Sequence, residues 1–231
     1  MAWYHPSWLY RQKITIEHTL VAEDLADFPV LITHAVVQAS LFAHARSDGA
    51  DIVVTAGDGN TELKRELVTY DAIAGALEVY VRVPSLSSVA DTEIYVYYGN
   101  AGASETNDPV TSSADYGVVY HLKEDPAGSA PQAKDSTANA VHGTYDLAGA
   151  TVEDNTLWGG KCILFDSGPR LRVADNSAIE NANRITIEAW VNTLTWPSRA
   201  VVCRKDGSYI LYNYSSGFSW YLFGPRTSLR P

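Results

Sequence analysis

The feature that most restricts the fold of this chain is a period of two in its short apolar runs. In segment 76–83 an apolar side chain occupies every second position, and charged or aromatic residues fill the positions between them. The apolar positions are Leu77, Val79, Val81 and Val83. Because successive side chains of a strand point to opposite faces, this spacing predicts a strand with one buried face.

Similar runs recur along the chain and predict an all-β protein built as β-sandwiches. Further strands are predicted at 13–17, 28–33, 92–98, 117–122, 161–165, 170–174, 184–192, 200–204, 208–214 and 218–223. Asp-Gly pairs at 48–49 and 58–59 supply turn residues between strands, and only segment 36–46 indicates a helix. In segment 185–191 the odd-numbered positions are apolar and are expected to line a core.

Length and a local change in composition predict two modules. A chain of 231 residues suits two β-modules of about 100 to 130 residues each. Segment 99–114 is rich in small and polar residues and offers almost nothing to bury. We therefore place the boundary near residue 110, with a β-sandwich and its linker at 1–110 and a second sandwich at 111–231.

Charge and hydropathy argue against two classes of partner. The net charge of -10 would repel a phosphate backbone, and the 17 Lys and Arg residues form no basic run. No apolar stretch approaches the roughly 18 to 20 residues that a membrane helix needs. We expect neither nucleic-acid binding nor membrane insertion, and the first residues do not resemble a signal peptide.

The two cysteines leave the redox state open. Cys162 and Cys203 each lie in an apolar run, so two buried free thiols and one disulfide are both compatible with the sequence.

The first module resembles a small β-domain of unknown function that occurs in secreted bacterial, archaeal and phage proteins, commonly before a laminin-G-like domain. The motifs that carry the resemblance are, in order, WLYRQKITI at 8–16, DFPVLI at 27–32, SDGADI at 47–52, VRVPSL at 81–86 and IYVYYGN at 94–100. The resemblance implies a fold and a surface setting, without implying an activity.

The second module resembles a concanavalin A-like, laminin-G-type jelly roll. The motifs are YHL at 120–122, DSTAN at 135–139, GGKCILFD at 159–166 and ITIEAWV at 185–191. Jelly rolls of this type usually run on for several more strands than the sequence supplies, so the module is expected to be short or incomplete. We expect either a reduced sandwich or an edge strand completed by a neighbouring chain.

No motif for catalysis is present, and we expect no enzymatic activity. Glycosidases need two carboxylates at a fixed separation, and Glu188 is flanked at alternate positions by Thr186 and Trp190. Acids contributed by separate strands remain an open alternative. For His121 and His142 a hydrogen-bonded structural role is expected.

Calcium is the one cofactor for which the sequence offers candidates, since laminin-G-like domains sometimes bind it through loop oxygens. Asp135 and Asn139 are the candidate ligands, and turn formation by the same side chains is the alternative.

Aromatic residues crowd the last forty or so positions and are the candidates for contact with a glycan or a protein partner. They are Trp190, Trp196, Tyr212, Tyr214 and Trp220. The alternative is that these rings simply fill a core.

Taken together, these observations predict a non-catalytic structural or display protein of a phage-like virion or an extracellular surface. Its expected partners are further copies of itself, other virion or surface proteins, and cell-surface glycans. The alternatives are a secreted adhesin or carbohydrate-binding module from a longer protein and, with less support, a glycoside hydrolase.

Overall fold

A computed structural model describes residues 2–104, 116–146, 148–154, 160–166, 168–180, 185–192, 200–206, 208–214 and 217–222. The predicted all-β class is confirmed, because antiparallel sheets make up almost all of the regular structure. The chain divides into two compact units, Met1–Asp175 and Asn176–Pro231. The module boundary predicted near residue 110 falls outside the described residues and stays a prediction. Within the described ranges, no helix is long and apolar enough to span a bilayer.

The first unit begins with six strands that form two three-stranded sheets. They are β1 (Tyr10–Ile16), β2 (Leu25–Thr33), β3 (Val53–Ala56), β4 (Arg65–Asp71), β5 (Ala76–Leu86) and β6 (Thr92–Tyr98). One sheet has the order β1-β6-β3 and the other the order β2-β5-β4, with every pair antiparallel. The strands predicted at 13–17, 28–33, 76–83 and 92–98 are all confirmed.

These two sheets form a sandwich around one apolar core. The core takes alternate residues from the central strands β5 and β6, as the period of two predicts. Its buried members include Ile32, Val54, Leu77, Val79, Val81, Ile94 and Val96. Each sheet therefore has an outer face that looks away from this core.

A short helix closes one end of the core. Helix α1 (Ala39–His44) lies inside the segment 36–46 for which a helix was predicted, and it is shorter than that segment. Its Leu41 is fully buried in the sandwich core. Phe42 also packs against this core and stacks on the ring of Tyr70, so two side chains of the helix contact the sandwich.

The motif at 47–52 has a structural role in the sandwich. Asp51 is fully buried, and its Oδ2 accepts hydrogen bonds from the backbone N–H groups of Gly99 (2.7 Å) and Asn100 (3.0 Å). Gly49 has a φ of +68°, and a Cβ there would lie 2.7 Å from Cδ2 of Leu67. Glycine is the residue that accepts this backbone conformation without strain, so the motif holds the 46–52 loop against the chain that follows β6.

Four further strands in the first unit pair as two small antiparallel sheets. They are β7 (Gly143–Tyr145) with β10 (Leu171–Val173), and β8 (Ala150–Asp154) with β9 (Lys161–Phe165).

The strand predicted at 117–122 is wrong. Only Tyr120 forms an isolated bridge, to Asp135. The N–H of Val119 donates to the carboxylate of Asp135 rather than to a strand (3.0 Å). The other contacts of the segment, described below, are made by side chains.

The second unit contains a three-stranded antiparallel sheet. Its strands are β11 (Ala200–Lys205), β12 (Tyr209–Tyr214) and β13 (Gly217–Leu222), paired in sequence order. The predicted strands at 200–204 and 208–214 are confirmed, with ends that differ by one residue, and the strand predicted at 218–223 is confirmed over its described residues.

The strand and core face predicted at 184–192 are wrong for the described residues 185–192, which have no regular secondary structure. Ile185 and Ile187 are half-buried, whereas Ala189 and Val191 are exposed. None of the described strands pairs with this segment. A strand needs a hydrogen-bonded neighbour as well as an alternating sequence, and alternation alone therefore gave the wrong answer here.

Candidate functional site

A cluster of charged residues lies on the outer face of the β2-β5-β4 sheet. Glu66 of β4 pairs with Tyr80 of β5. Glu78 precedes Tyr80 by two positions on the same strand, so all three side chains share the face that looks away from the core. Glu66 and Glu78 are nevertheless buried. We call these three residues, with His121 and Lys123, the buried charge cluster.

Segment 116–123 covers the buried charge cluster through His121. Its Nε2 lies 2.9 Å from Oε1 of Glu66, and the two side chains are only 10% and 6% exposed. The imidazole also packs against the ring of Tyr80, with 5.4 Å between the ring centroids. A hydrogen bond or ion pair shielded from water in this way is stronger than the same contact on a surface.

Lys123 anchors the same segment through a bulge in β4. The register of β4 against β5 shifts between Leu67 and Thr69, so Val68 is the extra residue. A bulged residue is left out of the strand ladder, and the ammonium group of Lys123 donates to the carbonyl oxygen of Val68. The bulge thus supplies the acceptor that the covering segment uses.

Burial sets the protonation behaviour of the cluster. Loss of solvent raises the pKa of Glu78, although the nearby charges of His121 and Lys123 oppose that rise. Loss of solvent, together with the carboxylate of Glu78, also raises the pKa of Tyr80 above its ordinary value. The cluster therefore favours a neutral phenol and shifts Glu78 toward its protonated form.

Burial limits the access of a substrate to the two carboxylates of the buried charge cluster. A general acid or nucleophile must come within hydrogen-bond distance of its substrate. Glu66 and Glu78 do lie on separate strands, the arrangement that the sequence left open, but both are buried and His121 lies directly against Glu66. The contacts of His121 and Lys123 attach segment 116–123 to the sheet.

The outer face of the other sheet carries aromatic residues. Tyr95 and Tyr97 alternate with the core residues of β6, and residues from the N-terminal segment pack over them. We call Trp3, Tyr4, Trp8, Tyr95 and Tyr97 the N-terminal aromatic cluster. Trp3 meets Tyr97 edge to face at 5.4 Å, and Tyr4 meets Trp8 in the same way at 5.0 Å.

One cation lies within the N-terminal aromatic cluster. The guanidinium carbon of Arg11 is 4.8 Å from the ring centroid of Trp3 and 4.9 Å from that of Tyr95. Such contacts are favourable because the faces of aromatic rings carry negative potential. Trp8 is buried and donates through Nε1 to the carbonyl of Asp51 (2.7 Å), whereas Trp3 remains 42% exposed. Trp8 thus attaches the N-terminal aromatic cluster to the sandwich, and Trp3 exposes the cluster to solvent.

The five aromatic residues predicted as contacts have different environments. Trp190 is 80% exposed, and Tyr212 is buried at 8%. Tyr214 lies in β12 and Trp220 in β13, where Trp220 pairs with Leu211. Trp196 lies outside the described residues altogether. The hairpin β12–β13 brings three of the five onto one element, and their ligand role stays a prediction.

The calcium candidates Asp135 and Asn139 serve turns in the structure. The carboxylate of Asp135 accepts four hydrogen bonds of 2.8 to 3.0 Å, from Val119, Val141 and twice from Thr137. Asn139 donates through Nδ2 to two backbone carbonyls. The geometry favours the turn-forming alternative. Across the residues with described positions, no group of three or more His, Cys, Asp and Glu side chains could hold a metal.

The remaining candidate side chains have structural contacts. His142 accepts a hydrogen bond at Nδ1 from the backbone N–H of Asp135 (3.0 Å). Cys162 and Cys203 are half-buried free thiols, and loss of solvent raises the pKa of both. A raised thiol pKa reduces the thiolate fraction and makes a nucleophilic role unfavourable.

Sequence reasoning missed both clusters. Tyr95 and Tyr97 alternate with core residues and could have been assigned to an outer aromatic face from that signal. The cover by His121 had no such signal, because Glu66 and His121 are 55 positions apart and meet only in the folded chain.

Residues 48–121 match the model of a family described as Domain of unknown function (DUF2341). The match runs from the loop before β3 to His121, so it includes β3 to β6 and the residue that covers Glu66. Neither the curated proteins nor the solved structures contain a significant match to this chain.

Proposed function

We propose that this chain is a non-catalytic structural or display protein of a virion or an extracellular surface, which contacts other proteins and glycans. The observation that carries the proposal is the contrast between the two outer faces of the sandwich. The acids that could do chemistry are covered by the chain itself, whereas an aromatic cluster with a stacked cation is open at Trp3. Open aromatic faces are typical of binding sites for sugars and proteins.

Assembly with other copies is supported by apolar side chains on the first unit. Leu20, Ile73 and Val89 are each more than 80% exposed. Single exposed apolar residues are common on monomers. All three nevertheless lie in connections between sandwich strands, where a neighbouring copy would cover them.

A second candidate function is that of a secreted adhesin or carbohydrate-binding module from a longer protein. The specific observation in its favour is Trp190, which is 80% exposed in an irregular segment. An exposed indole can stack on a sugar ring without any conformational change in the protein.

We also propose that the part of the chain after residue 111 is related to the concanavalin A-like, laminin-G-type jelly roll. The motifs quoted above support this relation, as does the antiparallel pairing of every described strand from β7 to β13. An experimental structure in which these strands do not form two stacked sheets would exclude it.

The test of the leading proposal is the native mass of the purified chain, measured by light scattering, together with a screen on a glycan array. A defined oligomer, or a fixed copy number in an isolated particle, supports the assembly function. A monomer that binds glycans supports the binding module instead. Turnover of a polysaccharide above the blank would contradict both.

A further inference from the structure

The guanidinium group of Arg11 is fixed in place along one edge. Its Nη1 donates to the carbonyl of Ala2 (3.0 Å) and to the hydroxyl of Tyr97 (3.1 Å). Its carbon also packs against the rings of Trp3 and Tyr95 at 4.8 and 4.9 Å. A planar group held by two hydrogen bonds and two rings loses little further freedom when it binds a ligand.

The other edge of the same guanidinium, Nε with Nη2, has no hydrogen-bond acceptor among residues 2–104 or the later described ranges. The side chain of Arg11 is itself partly exposed. Two parallel N–H groups on this edge match the two oxygens of a carboxylate.

Arg11 also differs from the other partly exposed arginines in its pairing. In the described ranges five such arginines each lie within 3.4 Å of an aspartate oxygen, and they are Arg46, Arg82, Arg170, Arg172 and Arg204. Within the described parts of the chain, no carboxylate pairs with Arg11. In a chain with a net charge of -10, this leaves one fixed positive group without an anion.

Trp3 adds an apolar surface next to this cation. Its Nε1 donates to the carbonyl of Trp8 (2.8 Å), which fixes the indole, and 42% of the residue is exposed. The apolar face of a pyranose ring stacks on such a surface. Because the guanidinium carbon of Arg11 lies 4.8 Å from the centroid of this ring, a sugar on Trp3 would lie next to the cation.

We propose that Arg11 and Trp3 form a binding site for a sugar that carries a carboxylate, a uronic acid residue of an acidic glycan. The carboxylate pairs with Nε and Nη2 of Arg11, and the sugar ring stacks on Trp3. This inference rests on the proposed function, since it names the ligand class that the open face of the sandwich takes.

The test is isothermal titration of the full chain with tetramers of galacturonic acid and of glucuronic acid, and with their methyl esters. The esters keep the rings and remove the charge, so they isolate the carboxylate without any change to the protein. We expect one of the acids to bind, and its ester to bind at least about tenfold more weakly, the usual effect of losing a charge-assisted pair.

Three variants place the site on the molecule. Arg11→Lys keeps the charge without the two parallel N–H groups, and Trp3→Ala removes the stacking surface. Both are expected to weaken binding of the acid about tenfold or more. Lys13→Gln is the matched control, because Lys13 lies two positions along the same strand face and pairs with Glu93 at 2.7 Å. It should bind within about twofold of the unchanged chain.

Equal binding of acid and ester, or full affinity in both Arg11→Lys and Trp3→Ala, would overturn this site. Failure of both acids to bind would overturn it as well. If the chain still forms a defined oligomer in that case, the assembly function stands without this ligand. Circular dichroism of each variant shows whether a loss of binding reflects a loss of fold, and the ester comparison does not depend on any variant.

Discussion

Glu78 shows how the environment of a single residue affects the stability of the protein. Its carboxylate is buried on the outer sheet face beside Tyr80, and Thr69 Oγ1 is 3.4 Å away. Burial disfavours the charged form more than the nearby cations favour it, so the pKa is raised. Ionised Glu78 is therefore less stable in the folded protein than an exposed carboxylate would be.

We predict that Glu78→Gln has a higher free energy of unfolding than the unchanged chain at pH 7. A raised carboxyl pKa contributes stability below the unfolded pKa, and this contribution is lost as the pH rises through the folded pKa. The advantage of the variant should therefore shrink as the pH falls toward 4.5, the ordinary value for this group. Urea unfolding of both chains at several pH values measures this difference in unfolding free energy.

Glu93→Gln serves as the control for that series. Glu93 is partly exposed and pairs with Lys13, and both residues lie in the sheet that does not contain Glu78. Its effect should be small and of the opposite sign at pH 7. The opposite result is a difference in unfolding free energy between Glu78→Gln and the unchanged chain that is less favourable to the variant at pH 7 than at pH 4.5. It would show that the charges of His121 and Lys123 outweigh the effect of burial on Glu78.

At the scale of elements, segment 116–123 behaves as a cover that is held by side chains rather than by a strand ladder. His121 contacts Glu66 and Tyr80, and Lys123 contacts the bulge at Val68. Few backbone hydrogen bonds tie this segment to the sheet, so its attachment should depend strongly on these contacts.

We predict that His121→Ala releases this cover and lowers the free energy of unfolding by about 2 kcal/mol, because Glu66 loses a buried hydrogen-bond partner. Hydrogen exchange followed by mass spectrometry should show faster exchange in 116–123 and at Glu66.

His18→Ala is the matched comparison, since His18 pairs with Asp91 at 2.7 Å on the surface. Exposed pairs contribute little, and exchange in 116–123 should not change. Equal effects of the two substitutions would show that burial adds nothing to the contact.

The same scale shows what the sequence could and could not predict. Strands such as β5 and β6 were predictable because their sequences alternate and each strand is hydrogen-bonded to a neighbouring strand on both sides. Segments 117–122 and 185–192 have strand-like sequences, but in the first a side chain takes a backbone N–H group, and in the second no described strand is adjacent. Pairing is a property of the folded chain and does not appear in local periodicity.

The candidate site was harder to predict for a related reason. The sequence indicated the aromatic residues of the last forty positions as contacts, because aromatic residues are most frequent there. The open cluster instead combines Trp3 and Arg11 with Tyr95, which is more than eighty positions away. Contacts over such separations require knowledge of the sheet order β1-β6-β3.

For the whole molecule, each of the two compact units carries one cysteine, and both thiols are free. We predict that two thiols per chain react with a chromogenic disulfide reagent in denaturant without reductant. In the native protein the reaction should be slower, because burial raises the pKa of both groups and lowers the thiolate fraction. A count near zero reactive thiols per chain in denaturant would demonstrate a disulfide, the alternative that the sequence left open.

The cover over the β2-β5-β4 sheet has a consequence for protein engineering. A fusion partner designed from the six sandwich strands alone would end soon after Tyr98 and would leave Glu66 and Glu78 uncovered on a bare sheet. A fragment intended for display or grafting should extend through Lys123, so that it includes His121, which contacts Glu66, and Lys123, which holds the covering segment to Val68.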